Sequence, residues 1–100
     1  MEKQIERIKE METCLDKVLA ATNQLREALD EYEAVVPQYL KLSGYYGSAA
    51  WREDFEADEA GEIPRDLKRG VLSEDAVYDL LQDTRLMKGK MLGILDRIVE

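Results

Sequence analysis

Two carboxylates beside an aromatic ridge are the residues of this sequence best placed to do chemistry. Trp51 and Phe55 are four residues apart, and at 100° per residue Asp54 and Asp58 fall at the margins of the helix face that they share. A carboxylate beside an apolar surface is costly unless it is paired, and the segment 65–69 carries three basic residues. The pattern predicts either charge pairs that lock this helix to the following loop or an acidic pocket for a divalent cation or a cationic ligand.

Two tyrosines precede this helix and could join the aromatic ridge as a ligand surface. The candidate binding residues are then Tyr45, Tyr46, Trp51, Asp54, Asp58 and Arg69. Aromatic side chains at a junction between helices more often pack in the core. The spacing therefore favours a structural role and leaves the binding role open.

A magnesium site is a weaker hypothesis for the same acidic stretch. Glu53 and Glu56, or Glu56 and Glu59, are one helical turn apart, and Asp75 and Asp79 repeat this kind of spacing later. In all-α nucleotide pyrophosphohydrolases, carboxylates one turn apart on facing helices hold magnesium, and the spacings of this chain loosely resemble that arrangement. Such spacings arise easily in a chain with 22 acidic residues, so the hypothesis requires that carboxylates of two helices converge on one cavity.

Composition excludes much other chemistry. The chain of 100 residues has no histidine and one cysteine, Cys14. It therefore has no Ser-His-Asp or Cys-His constellation, no zinc site of the Cys/His type and no internal disulfide. We expect no catalytic residue, no metal site and no cofactor.

The charge balance and the N-terminal residues bear on partners and location. The formal net charge is −8, which disfavours nucleic acid and anionic membranes as partners. The segment 1–9 reads MEKQIERIK without an apolar targeting region, and no run of 18 apolar residues occurs. We expect a cytoplasmic protein, with Cys14 as a small apolar filler in a reducing compartment.

A seven-residue repeat of apolar residues predicts a long amphipathic helix over 1–36. One heptad position, a, holds Met1, Ile8, Leu15, Leu29 and Val36, and the position three later, d, holds Met11, Val18, Leu25 and Tyr32; Ile5 and Leu19 widen this stripe, and Gln4 and Thr22 interrupt it. Pro37 lacks a backbone donor and disfavours a helical conformation at Val36, so we expect the helix to stop or kink there.

The rest of the chain predicts two short helices and a second long one. Tyr39, Leu40 and Leu42 suggest the first short helix, which Gly44 or Gly47 would end. Ser48 is placed to cap a helix over residues 49–60, with Gly61 at its C-terminal end. Ser73 is placed to cap a helix that runs to the end of the chain. Leu72 and Val77 have the spacing of a hydrophobic staple.

These elements predict a single all-α domain over residues 1–100. Its two long antiparallel amphipathic helices, 1–36 and 73–100, flank a shorter helical insertion within 37–72. We expect them to pack as a three-helix bundle or an extended helical hairpin.

The central segment also carries a resemblance. The pattern YYGSxxWxxDFEADExGxxPxDLKRGVLSED, which begins at Tyr45, resembles a family of small uncharacterised bacterial proteins, a domain of unknown function. The match runs over about Leu42 to Leu81, with looser similarity in the flanking helices. The resemblance implies a bacterial cytosolic helical protein and carries no assigned activity, substrate or catalytic residue.

The sequence favours a noncatalytic interaction or assembly module that binds a protein partner or a second copy. A homodimer contact is expected on the back of the last helix, where Leu86, Gly89 and Gly93 lie opposite the apolar seam and the two glycines are costly for a helix interior. Two alternatives stay open. One is the magnesium-dependent hydrolase, and the other is an acidic phosphate mimic, which would need one continuous negative surface.

Overall fold

Three α-helices and one short 3₁₀ helix make up the described part of the chain, residues 1–98 of a computed structural model. Helix α1 is Glu2–Tyr45, α2 is Ala49–Glu59, the 3₁₀ helix is Gly70–Leu72 and α3 is Ala76–Leu95. No strand occurs within residues 1–98. The predicted all-α class is confirmed.

Backbone contacts divide the chain into two units, Met1–Pro37 and Gln38–Glu100. The first unit is helical from Glu2 onward and buries none of its residues. The second unit holds α2, the 3₁₀ helix and α3. That residues 1–100 form a single domain stays a prediction.

Helix α1 does not end at Pro37, where the sequence predicts a stop or a kink, and Pro37 lies inside it. A proline removes only the one bond that its own N–H would have donated and disturbs the preceding turn, so later residues can continue the helix. Two backbone hydrogen bonds of 3.0 Å follow the end of α1. The N–H of Tyr46 donates to the carbonyl of Leu42, and the N–H of Ser48 donates to the carbonyl of Tyr45. The separate short helix expected after Pro37 is therefore part of α1.

Both ends of helix α2 follow the sequence prediction. Ser48 is extended at the N-cap, and its Oγ accepts a hydrogen bond from the N–H of Trp51 over 3.2 Å. Gly61 has φ +74°, and its N–H donates to the carbonyl of Asp58, while the N–H of Glu62 donates to the carbonyl of Ala57, both over 3.0 Å. These two bonds form a Schellman motif, which explains the glycine.

Helix α3 begins three residues later than Ser73, at Ala76. The Oγ of Ser73 donates to the carbonyl of Gly70 over 2.7 Å and accepts from the N–H of Ala76 over 3.2 Å, so this serine joins the 3₁₀ helix to α3. The helix ends at Leu95, and the predicted continuation to 100 fails for 96–98 because turns follow there. The last part of that prediction, Val99 and Glu100, lies outside the described residues.

The fully buried core is small. Leu72 and Val77 are the two buried residues among 1–98, with 7% and 3% exposure, but the N-cap of α3 is Asp75, so they do not hold the staple positions expected around Ser73. Their burial joins the 3₁₀ helix to the first turn of α3. Within the same residues, no helix has the length and apolar composition needed to cross a bilayer.

Candidate functional site

The six candidate binding residues come together where the end of α1, helix α2 and the 3₁₀ helix meet. With Phe55 they form what we call the junction cluster: Tyr45, Tyr46, Trp51, Asp54, Phe55, Asp58 and Arg69. Gly47, at φ +78°, makes the tight turn that leads from α1 into α2 and so brings the tyrosines beside Trp51.

Trp51 is the centre of the junction cluster. Its ring stacks on Phe55 with centroids 5.2 Å apart and planes 19° apart. Tyr46 meets it edge-on at 5.3 Å and 68°. The indole N–H donates to the carbonyl of Val71 over 2.9 Å, a bond that spans twenty residues of sequence. One side chain thus holds the 3₁₀ helix against α2, and this apolar body with a bonded polar tip is typical of structural tryptophan.

Asp54 differs from the sequence expectation in its partner. The sequence pointed to the basic segment 65–69, but the Oδ2 of Asp54 accepts a hydrogen bond of 2.6 Å from the hydroxyl of Tyr45. This bond, with a smaller contribution from desolvation and from the negative charge of Asp54, raises the pKa of Tyr45 to about 12. The phenol therefore stays protonated at neutral pH and acts as a donor, not as a nucleophile.

Asp58 has the kind of partner that the sequence predicted. Its Oδ1 lies 2.9 Å from a guanidinium nitrogen of Arg69, and this is the salt bridge found among residues 1–98. The two side chains are 22% and 35% exposed, so solvent screens the pair in part. The bond ties the last turn of α2 to the residue before the 3₁₀ helix.

A polar cleft of about 430 Å³ opens beside this ion pair. It is lined by Asp58, Gly61, Ile63, Arg65 and Arg69. A second cleft, of about 340 Å³, is apolar and is lined by Leu42, Lys68, Gly70, Val71, Ala76, Val77 and Leu80. The polar atoms of the aromatic residues are engaged within the protein: the indole N–H of Trp51 bonds to Val71, and the hydroxyl of Tyr45 bonds to Asp54.

The acidic residues do not assemble as the magnesium hypothesis requires. Within residues 1–98 no group of three or more His, Cys, Asp or Glu side chains is placed to hold a metal ion. Asp54 and Asp58 each have a protein partner instead. Every buried side-chain nitrogen or oxygen in the described range also has a hydrogen-bond partner.

The residues expected at a dimer contact lie on α3 and are open to solvent. Leu86 is 73% exposed. A Cβ added to Gly89 or Gly93 would meet no atom within 4 Å. The described structure thus leaves space at these glycines, and their role in a dimer stays a prediction.

The fold and the junction cluster define an all-α protein whose central segment is held by one tryptophan and two polar pairs. Residues 8–94 match the family model of a domain of unknown function, DUF4298, and the chain belongs to this family. No curated protein and no solved structure matches the chain significantly.

The Asp58–Arg69 pair gives a direct test of a structural role. We expect Asp58→Ala to lower the free energy of unfolding by about 1 to 2 kcal/mol, because Arg69 then loses its partner at a half-buried site. Glu56→Ala, on the exposed face of the same helix, should change it by no more than about 0.5 kcal/mol. Urea denaturation followed by circular dichroism measures both values.

The same melts can contradict that role. Mutual repulsion of carboxylates in an empty ligand site would be relieved by Asp58→Asn. A stabilised Asp58→Asn, or equal effects of Asp58→Ala in the presence and absence of Arg69, would show that the ion pair is not what holds this junction.

Proposed function

We propose that this protein is a noncatalytic interaction or assembly module of the bacterial cytoplasm, and that it binds a protein partner through one face of α1. That face, called here the α1 apolar face, comprises Ile5, Ile8, Met11, Leu15, Val18, Leu19, Leu25, Leu29 and Tyr32. The exposed, free Cys14 suits a reducing compartment.

The exposure of this face is the observation that carries the proposal. Its nine side chains are between 41% and 63% exposed, from Tyr32 to Val18. Single exposed apolar residues are ordinary on protein surfaces, but a stripe in heptad register, even one that Thr22 interrupts, is typical of a helix that packs on another helix. Strong helix formers occupy the remaining positions, so the stripe is the feature of α1 that calls for a partner.

The junction cluster supports a scaffolding role better than catalysis. The polar groups of the cluster are engaged within the protein. Trp51 bonds to the backbone, Tyr45 bonds to Asp54, and Asp58 pairs with Arg69. The magnesium-dependent hydrolase would need carboxylates such as Glu56 and Asp75 from two helices to face one cavity, and no group of three or more His, Cys, Asp or Glu side chains within residues 1–98 is placed to hold a metal ion. Helix α3 offers a second proposed contact at Leu86, Gly89 and Gly93.

Site-specific photo-crosslinking in cells tests the proposal. A photoreactive amino acid at Leu15 lies in the middle of the α1 apolar face, and one at Ala20 lies on the far side of the same helix. We expect a discrete adduct with a protein, identified by mass spectrometry, from position 15 and none from position 20. Equal labelling from both positions, or no adduct from position 15, would contradict an interface on this face.

A further inference from the structure

We infer that the partner of the α1 apolar face is a second copy of this chain, bound antiparallel along Met1–Val36. The inference rests on the proposed interaction function and adds the identity and orientation of the partner. Three observations carry it: the size of the exposed face, the residues that an antiparallel alignment brings together, and the distribution of charge along α1.

The size of the face suits a dimer of ordinary dimensions. Nine apolar side chains are about half exposed. If each leaves on the order of 80 Å² accessible, the face offers about 700 Å² per copy, close to the roughly 800 Å² that each partner contributes to a standard interface. A partner helix of the same length is needed to cover it, and a second α1 has that length.

Antiparallel alignment makes most core layers apolar, although Val18 faces Thr22 near the centre and Gln4 faces Val36 at the ends. In an antiparallel coiled coil each a position faces a d position of the other helix. With the overlap centred on residue 20, Leu15 faces Leu25 of the second copy, Met11 faces Leu29, and Ile8 faces Tyr32. Beside the core layers at the centre, Leu19 then lies against Leu19 of the second copy on one side, and Ala21 lies against Ala21 on the other. The small alanine side chains let the helices approach closely.

The same alignment pairs the two charges that flank the stripe. Glu12 and Arg26 occupy equivalent heptad positions, one on each side of the centre, so Glu12 faces Arg26 of the second copy, and the two-fold symmetry makes this contact twice. Both residues are exposed. Arg26 also donates to Asn23 on its own helix over 3.0 Å, which leaves its other donors free.

The charge along α1 decides between antiparallel and parallel. Glu27, Asp30, Glu31 and Glu33 form an exposed acidic segment with no basic residue between Arg26 and Lys41. A parallel dimer would pair Arg7 with Glu12 but would bring two such segments side by side. An antiparallel dimer keeps the two acidic segments apart and places each beside residues 7–13 of the second copy, where Arg7 and Lys9 balance Glu10 and Glu12; it also opposes the two helix dipoles.

A charge-exchange experiment on the full chain tests the inference. Glu12→Arg alone sets two arginines against each other at each of these contacts, and Arg26→Glu alone sets two glutamates against each other. Each variant should therefore associate at least tenfold more weakly than the wild type. An equimolar mixture should restore association, because both contacts of the mixed dimer join opposite charges. Sedimentation equilibrium gives the dissociation constants, and circular dichroism checks that each variant stays helical.

The control is Glu6→Arg, the same charge change on the far side of the helix, which should leave the dissociation constant within about twofold of wild type. Association that the mixture does not restore would overturn the antiparallel alignment. A wild-type chain that stays monomeric at millimolar concentration would overturn the second copy as partner. In that case an adduct between position 15 and a different protein would leave the proposed interaction function standing, and no adduct would remove both.

Discussion

Trp51→Ala will lower the free energy of unfolding by about 2 to 4 kcal/mol, the largest loss expected from one substitution in the junction cluster. The change removes the stack on Phe55, the edge contact with Tyr46 and the hydrogen bond to the carbonyl of Val71. With only Leu72 and Val77 fully buried among residues 1–98, little other packing replaces it. Urea denaturation measured by circular dichroism gives the value.

Trp51→Phe is the matched control. It keeps an aromatic ring against Phe55 and loses the indole donor, so it should cost about 1 to 2 kcal/mol, including the now unpaired carbonyl of Val71. A loss below about 1 kcal/mol for Trp51→Ala would mean that this tryptophan does not hold the 3₁₀ helix to α2.

Local signals account for what the sequence predicted well. The serine cap at Ser48 and the glycine at Gly61 each act through backbone groups within four residues, so residue type and spacing are sufficient to place both ends of α2. Leu72 and Val77 are also near neighbours in sequence and are both buried, although α3 begins two residues later than the predicted staple assumes.

The two shifted helix ends depend on competition between neighbouring elements. Pro37 removes one hydrogen bond from α1 and disturbs the preceding turn, but the residues that follow gain enough helical bonding for α1 to reach Tyr45. The hydroxyl of Ser73 accepts from Ala76 but also donates to Gly70, so residues 73–75 form bends after the 3₁₀ helix and α3 begins at Ala76. The helix propensities of the individual residues do not describe this competition, so they do not predict where α1 ends or where α3 begins.

The partner of Asp54 was missed for the same reason. The helical periodicity places Asp54 correctly beside the aromatic ridge. Its carboxylate is bonded by the hydroxyl of Tyr45 at the end of α1, and not by a basic residue of 65–69. The bond from Trp51 to Val71 spans a loop whose path no local pattern specifies. One signal could have suggested the contact between Tyr45 and Asp54. Tyr45 ends one helix, and Asp54 lies nine residues later at the margin of the apolar face of the following helix.

Leu15→Asp will disrupt the proposed interface on α1 and strongly increase amide exchange in that helix. The substitution places a charge in the middle of the α1 apolar face, where a partner would have to bury it unpaired. We expect protection of the amides between Ile8 and Tyr32 to fall by at least 100-fold. Ala20→Asp adds the same charge on the far side of α1 and should lower protection by less than tenfold.

Hydrogen exchange of the wild-type chain as a function of its concentration tests most directly whether a partner covers α1. A helix that buries none of its residues opens readily, and a partner that covers it slows its amide exchange in proportion to the population bound. We expect slow exchange in this segment at high protein concentration and at least 100-fold faster exchange on dilution, while the amides of α2 keep their rates. Protection of Met1–Val36 that is the same at both concentrations, or that Leu15→Asp leaves unchanged, would contradict a covered α1 apolar face.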